Sequence, residues 1–117
     1  MDEILKKDMI DAGINVDETM NRFMNNEALL MKFLKKFADD DNMNALGTII
    51  ASKNYQEVLP VAHTLKGVCG NLGFTNLYDI FSNMCQECRK ERFDDMDRLF
   101  AEAKKEYPKI IAVIQKL

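Results

Sequence analysis

Apolar residues recur at intervals of three and four along almost the whole chain, and only two prolines and five glycines interrupt them in 117 residues. That spacing follows the 3.6-residue turn of a helix and not the alternation of a strand, so the chain is confined to helices packed on helices. The breaks divide it. A first amphipathic stretch runs from Asp2 to Ala12 with Gly13 as its stop, and Asn15 with Glu18 has the spacing of a capping box for a short helix to about Phe23. Asn25 and Asn26 interrupt the pattern. A third helix from Glu27 to Ala38 is expected to bury Leu29, Leu30, Phe33, Leu34 and Phe37, and the acidic run Asp39 to Asp41 ends it.

The next helix, Asn42 to Lys53, offers Met43, Leu46, Ile49 and Ile50, with Asn54 as its left-handed end. Another runs from Tyr55 to Leu72 and closes at Gly73. Thr75 is the expected N-cap of a helix to Glu91 with Leu77, Ile80, Phe81, Met84 and Cys88 inward. The last starts at Asp94 or Asp95 and offers Leu99, Ala103, Tyr107, Ile110, Ile114 and Leu117, with Pro108 expected to kink or restart it. Four successive amphipathic helices with short links imply an antiparallel four-helix bundle over residues 42–117, with additional short N-terminal helices over residues 1–41 capping it in one all-α domain.

Charge and composition narrow the partners. With 16 Lys and Arg against 19 Asp and Glu, a net charge of -3 and a pI near 5.2, the chain lacks the basic surface that nucleic acid requires. No apolar run reaches the roughly 18 residues of a membrane span, and the first 13 positions carry Asp2, Glu3, Asp8 and Asp11 where a signal peptide would be apolar. A cytoplasmic protein is expected, its three cysteines reduced. One histidine is too few for the common zinc sites, and no glycine-rich phosphate loop is present, so neither an intrinsic metal nor an intrinsic nucleotide cofactor is expected. Cys85 and Cys88, a C-x-x-C pair inside a helix with no second pair, read as partly buried thiols, and Met20, Met24, Met31, Met43, Met84 and Met96 read as core filler.

On the Tyr55 to Leu72 helix, Val58, Ala62, Leu65, Cys69 and Leu72 lie within about 40° of one direction, which is the core direction. His63 points about 140° away from it, among Gln56, Pro60, Gly67 and Gly70, with Lys66 one turn on. A satisfied structural histidine belongs at the apolar face or a helix end, and His63 is at neither. Gly67 and Gly70 each weaken a helix by about 1 kcal/mol relative to Ala. On the wheel both face away from the core, which puts access for another protein ahead of close packing as their explanation. General acid-base chemistry needs an orienting partner and a substrate pocket. An imidazole can instead attack a phosphoryl group, hold it as a phosphoramidate and surrender it to another nucleophile.

The run Ala62-His63-Thr64-Leu65-Lys66-Gly67-Val68-Cys69-Gly70-Asn71-Leu72-Gly73 resembles the signature of histidine-containing phosphotransfer domains, helical bundles that relay phosphoryl groups between receiver-domain aspartates or from a sensor kinase to a regulator. The resemblance extends over Ile14 to Asp39, the Leu77 to Met84 spacing and the helical layout. It implies that His63 is the phosphoacceptor, through the ring nitrogen farther from the backbone, that Lys66 holds phosphoryl oxygens and that Gly67 clears space for the partner. The wheel adds Gly70, Gln56, Pro60 and Leu59 to the docking face, with Leu59 and Val61, joined by Ile10 or Ile14, as an apolar rim. Pro60 departs from the family pattern, marking an irregular first turn or a determinant of partner choice.

The expected partners are a response-regulator receiver domain, a sensor histidine kinase or both, with Mg²⁺ supplied at the receiver site and the chain a monomer by default. The chain is then a phosphoryl carrier and not an enzyme. Met1 and the clean end of the last helix favour a freestanding carrier. The alternatives are a phosphoacceptor domain excised from a larger sensor kinase and a non-catalytic adaptor bundle in which His63 is incidental.

Overall fold

The breaks at Gly13, at Asn25 and Asn26, from Asp39 to Asp41 and at Gly73 become helix boundaries in the computed structural model, which describes all residues from Met1 to Leu117, whereas Pro60 and Pro108 lie inside helices. Seven α-helices follow one another: α1 (Glu3–Asp11), α2 (Val16–Arg22), α3 (Glu27–Ala38), α4 (Asn42–Ala51), α5 (Val58–Leu72), α6 (Thr75–Arg89) and α7 (Met96–Ile114). A single 3₁₀ turn, Tyr55–Glu57, leads into α5. There are no strands; one isolated backbone bridge joins Ile14 to Phe74. Helices α4, α5, α6 and α7 pack as neighbours in sequence order and α7 returns against α4, while α3 lies across α5 and α7. This is the helical bundle that the periodicity implied, and 28 buried apolar residues form its core.

Several boundaries differ from the sequence expectation, each for a local reason. The left-handed residue after α4 is Lys53 (φ 58°), not Asn54, whose φ is -85°. Phe74, not Thr75, occupies the N-cap of α6. Thr75 instead turns its hydroxyl to Gly13 O at 3.1 Å, because that carbonyl already meets its backbone N–H. Helix α6 stops at Arg89 and Glu91 is left-handed (φ 54°). Pro108 neither ends nor restarts α7, which runs through it. The bond that Pro108 removes would have joined Lys104 O, and both residues are exposed.

The third helix buries one stripe only. Leu30, Leu34 and Phe37, at i, i+4 and i+7, enter the core, and Phe37 meets the rings of Phe74 at 5.0 Å and Tyr107 at 5.8 Å. Leu29 and Phe33, expected inside, are 37% and 39% exposed. Phe33 packs on Phe23 at the surface, with ring centroids 5.6 Å apart, and Lys36 lies over its ring. Met24 is not core filler either: it is 90% exposed, in a left-handed turn with Asn25.

Two glycine turns clip the N-terminal helices to the bundle. Asn15 N–H donates to Gly73 O at 2.9 Å and Thr75 N–H to Gly13 O at 3.2 Å. Both glycines have positive φ, 95° and 77°. A Cβ at Gly73 would collide with Thr19 Oγ1, whose fully buried hydroxyl donates to Asn15 O at 2.7 Å. The clip explains the incomplete capping box at α2. Glu18 N–H donates to Asn15 Oδ1, but the return bond from Asn15 comes from its side-chain amide, since its backbone N–H is committed to Gly73.

Candidate functional site

The core stripe of α5 is the one the wheel gave: Val58, Ala62, Leu65, Cys69 and Leu72 are buried. The opposite face therefore carries His63, exposed near the middle of the helix, with Thr64 and Gly67 also exposed and Lys66 half-buried. Proline at position 60 is compatible with this helix. α5 starts at Val58, so Pro60 occupies its first turn, where a backbone N–H would have no intrahelical acceptor. The irregular entry is the 3₁₀ turn just before it, and Pro60 O accepts the Thr64 hydroxyl at 3.1 Å.

Along the α5–α6 seam an open groove of about 690 Å³ contains His63, Lys66, Gly67 and Gly70. The two mid-helix glycines serve different ends. A Cβ on Gly67 would have no atom within 4 Å, so the backbone there lies open to approach. A Cβ on Gly70 would stand 3.1–3.2 Å from the Tyr78 ring, so packing against α6, and not access, accounts for the missing side chain. Lys66 Nζ lies over the same ring, 5.9 Å from its centroid.

The C-terminal end of the groove adds Arg22, Tyr78 and Asp79, which the sequence did not single out, to Gly73 and the cap of Asn15 and Glu18, which it did. Left-handed Gly73 ends α5, with Phe74 N–H donating back to Cys69 O at 2.9 Å. Arg22 from α2 places Nη1 on the exposed carbonyls of Gly70 and Asn71, at 2.9 and 2.8 Å, and Nη2 on Glu18 at 2.9 Å. Asn15, Glu18 and Arg22 thus form one wall, with Tyr78 and Asp79 of α6 opposite. Arg22 gave no local signal, since its role depends on a contact 48 residues away. Tyr78 did give one, as an aromatic residue beside the core stripe of α6 and not on it; in the structure it is 38% exposed.

Gln56 and Leu59 do not share this groove. They line another, of about 390 Å³, between the start of α5 and the end of α6, walled by Tyr55 and Phe93, whose rings stack at 6.0 Å. Pro60 is exposed and lines neither. Leu59 and Val61 are half-buried and Ile10 is exposed, but Ile14 is buried against the α5–α6 turn and cannot belong to an apolar rim. The three cysteines are free and buried, more completely than the C-x-x-C reading expected. Burial pushes the Cys69 thiol up to about 12. Cys85 is raised by burial as well, against a smaller opposing pull from Arg89 and Lys66. No group of three or more His, Cys, Asp or Glu side chains is placed to hold a metal ion. No helix is long and apolar enough to cross a membrane.

The fold is a helical bundle that lifts one imidazole onto an open helix face, beside a lysine and bare backbone. A family model described as the Hpt domain matches residues 29–115, and the chain belongs to that family. Hpt domains are phosphocarriers in two-component signalling and interact with receiver and kinase domains. Searches of the curated proteins and of the solved structures return no match.

Proposed function

We propose that this chain is a phosphorelay carrier that accepts a phosphoryl group on His63 and exchanges it with the aspartate of a receiver domain. The observation that carries the reading is the exposed His63 in mid-helix with nothing within 4 Å of a Cβ at Gly67, one turn further on, in a chain of the Hpt family. A concave acidic site can descend on the imidazole there without meeting a side chain.

The neutral ring attacks with the lone pair of Nε2 while Nδ1 keeps its proton. An N–P bond forms, the P–O bond of the receiver's aspartyl phosphate breaks, and its electron pair leaves with the aspartate carboxylate. The reverse step loads a second receiver. Lys66 lies three residues on, on the same side of α5, where its ammonium offsets charge on the phosphoryl oxygens. Mg²⁺ held at the receiver's acidic site would supply further charge neutralisation from the partner's side.

The test is incubation of the chain with Mg²⁺, acetyl phosphate and candidate receiver domains, followed by a search for an acid-labile, base-stable phosphoryl group on His63. Labelling that needs a receiver and vanishes in His63→Gln is the expected result. Labelling only by a kinase catalytic domain would make the chain an excised kinase segment, and labelling by neither would make it an adaptor bundle.

A further inference from the structure

Gly70 and Lys66 meet at one ring, and that ring belongs to no part of the phosphotransfer motif. Tyr78 leaves α6 beside the core stripe and lies against the backbone of α5 at Gly70, close enough that a Cβ there would stand 3.1 Å from Cδ2 and 3.2 Å from Cε2. No larger residue at position 70 would admit the ring at this distance. One turn toward His63, the Lys66 ammonium sits 5.9 Å from the ring centroid, within the range in which a cation is attracted by an aromatic face. The opposing pull of Lys66 on the Cys85 thiol agrees with this placement, since Cys85 is on α6 as well. A lysine on an open helix face would otherwise sweep its four-carbon stem through solvent. Here the side chain is half-buried.

We infer that Tyr78 is a positioning residue for phosphoryl transfer: its ring, admitted by Gly70, holds the Lys66 ammonium in the groove beside His63, where a phosphoryl group on the imidazole meets it already in place. This rests on the proposed role of His63 and extends it to a residue on another helix. Preorganising a flexible cation removes the entropy of fixing it when the phosphoryl group arrives. A free lysine would have to be collected from solvent at that moment.

The experiment is a double-mutant cycle on the full chain with two readouts. His63 is loaded with inorganic phosphoramidate, which needs no partner, and the phosphoryl group is titrated by ³¹P NMR; separately, transfer from a phosphorylated receiver is timed. A nearby ammonium favours the dianionic phosphoryl group and lowers its last pKa. Lys66→Gln therefore raises that pKa. Tyr78→Leu raises it by about half a pKa unit and slows transfer by about threefold, the scale of an exposed cation–π contact. In the double variant Tyr78→Leu adds nothing to Lys66→Gln, whereas Tyr78→Phe, which keeps the ring face, stays close to the parent in both readouts. Arg22, Glu18 and Asp79 also face the groove, but they are common to all variants and drop out of the differences. Gly70→Ala, which crowds the ring, moves both readouts in the direction of Tyr78→Leu.

Additive effects of Lys66→Gln and Tyr78→Leu, or failure of Tyr78→Phe to retain parental behaviour, would overturn the inference. So would faster transfer in Tyr78→Leu, which would mean that the ring holds the ammonium away from the phosphoryl group. Absence of any label on His63, from phosphoramidate and receivers alike, would remove the proposed function itself; label from phosphoramidate alone leaves the titration to decide the role of Tyr78.

Discussion

At the residue scale, the two glycines of the signature separate access from packing, and two substitutions at Gly67 test the access half. Gly67→Ala fills open space, so it should stabilise the protein by about 0.5–1 kcal/mol, the difference in helix propensity, in urea denaturation. Gly67→Gln should fold as well as the parent yet slow receiver-dependent labelling of His63, because a longer side chain then stands in the open approach. Unchanged labelling by a well-folded Gly67→Gln protein would remove the access argument. His63→Gln, at an exposed position, should alter stability by less than about 0.5 kcal/mol while abolishing phosphoryl acceptance. The directions of His63, Lys66 and Gly67 were legible because a wheel needs only the identity of the buried stripe. Gly70 was not legible in the same way. Its neighbour comes from α6, and one helix's periodicity says nothing about which side chain of the next helix leans on it.

At the scale of elements, helix existence followed from periodicity and helix ends did not. Asn54 was the better left-handed residue by propensity, but Lys53 takes that conformation because the turn into the 3₁₀ segment falls one residue earlier. Thr75 was the better N-cap, yet tertiary bonds to Gly13 took both its backbone N–H and its hydroxyl. Long-range bonds of this kind also finish α5. Arg22→Ala leaves the Gly70 and Asn71 carbonyls without their shared cationic donor, and should destabilise by about 1 kcal/mol by thermal or urea unfolding. Added salt should narrow the gap, because both sides of the contact are exposed. Gly73→Ala goes further. It combines a left-handed backbone with a collision against Thr19 Oγ1, inside the clip that joins α2 to the α5–α6 turn, and should lower stability by at least about 2 kcal/mol. A loss no larger than that of Arg22→Ala would mean that the N-terminal helices can detach without disturbing the bundle.

For the molecule as a whole, the ring of α4 to α7 was legible from four amphipathic stretches joined by short links, since such links leave antiparallel neighbours as the available packing. What periodicity could not give was how completely α3 and the N-terminal clip join that core, because Phe37, Phe74 and Tyr107 come from three separate parts of the chain. The enclosure has a consequence on the alkaline side. Burial raises the Cys69 thiol from 9.0 to about 12 and also raises Cys85, Cys88 and Tyr107, and Tyr55 is raised by burial and by its bond to Asp97. Each of these groups is neutral when protonated, and the folded state keeps that proton to higher pH than the unfolded chain does. Near neutral pH both states are protonated and these groups contribute no pH dependence. Above the ordinary thiol value the unfolded chain loses protons first, so the folded state binds more of them and stability falls as pH rises. The melting temperature should therefore hold through neutral pH and decline from about pH 9 toward 12. Over the lower part of that range, Cys69 should react with a thiol reagent only as fast as the bundle opens. Cys69→Ala, compared with the parent over the same series, should show a shallower decline even though it starts less stable. A parallel decline in both would assign the alkaline loss to the other thiols and the tyrosines, and would mean that the buried thiol of α5 does not govern how the bundle responds to base.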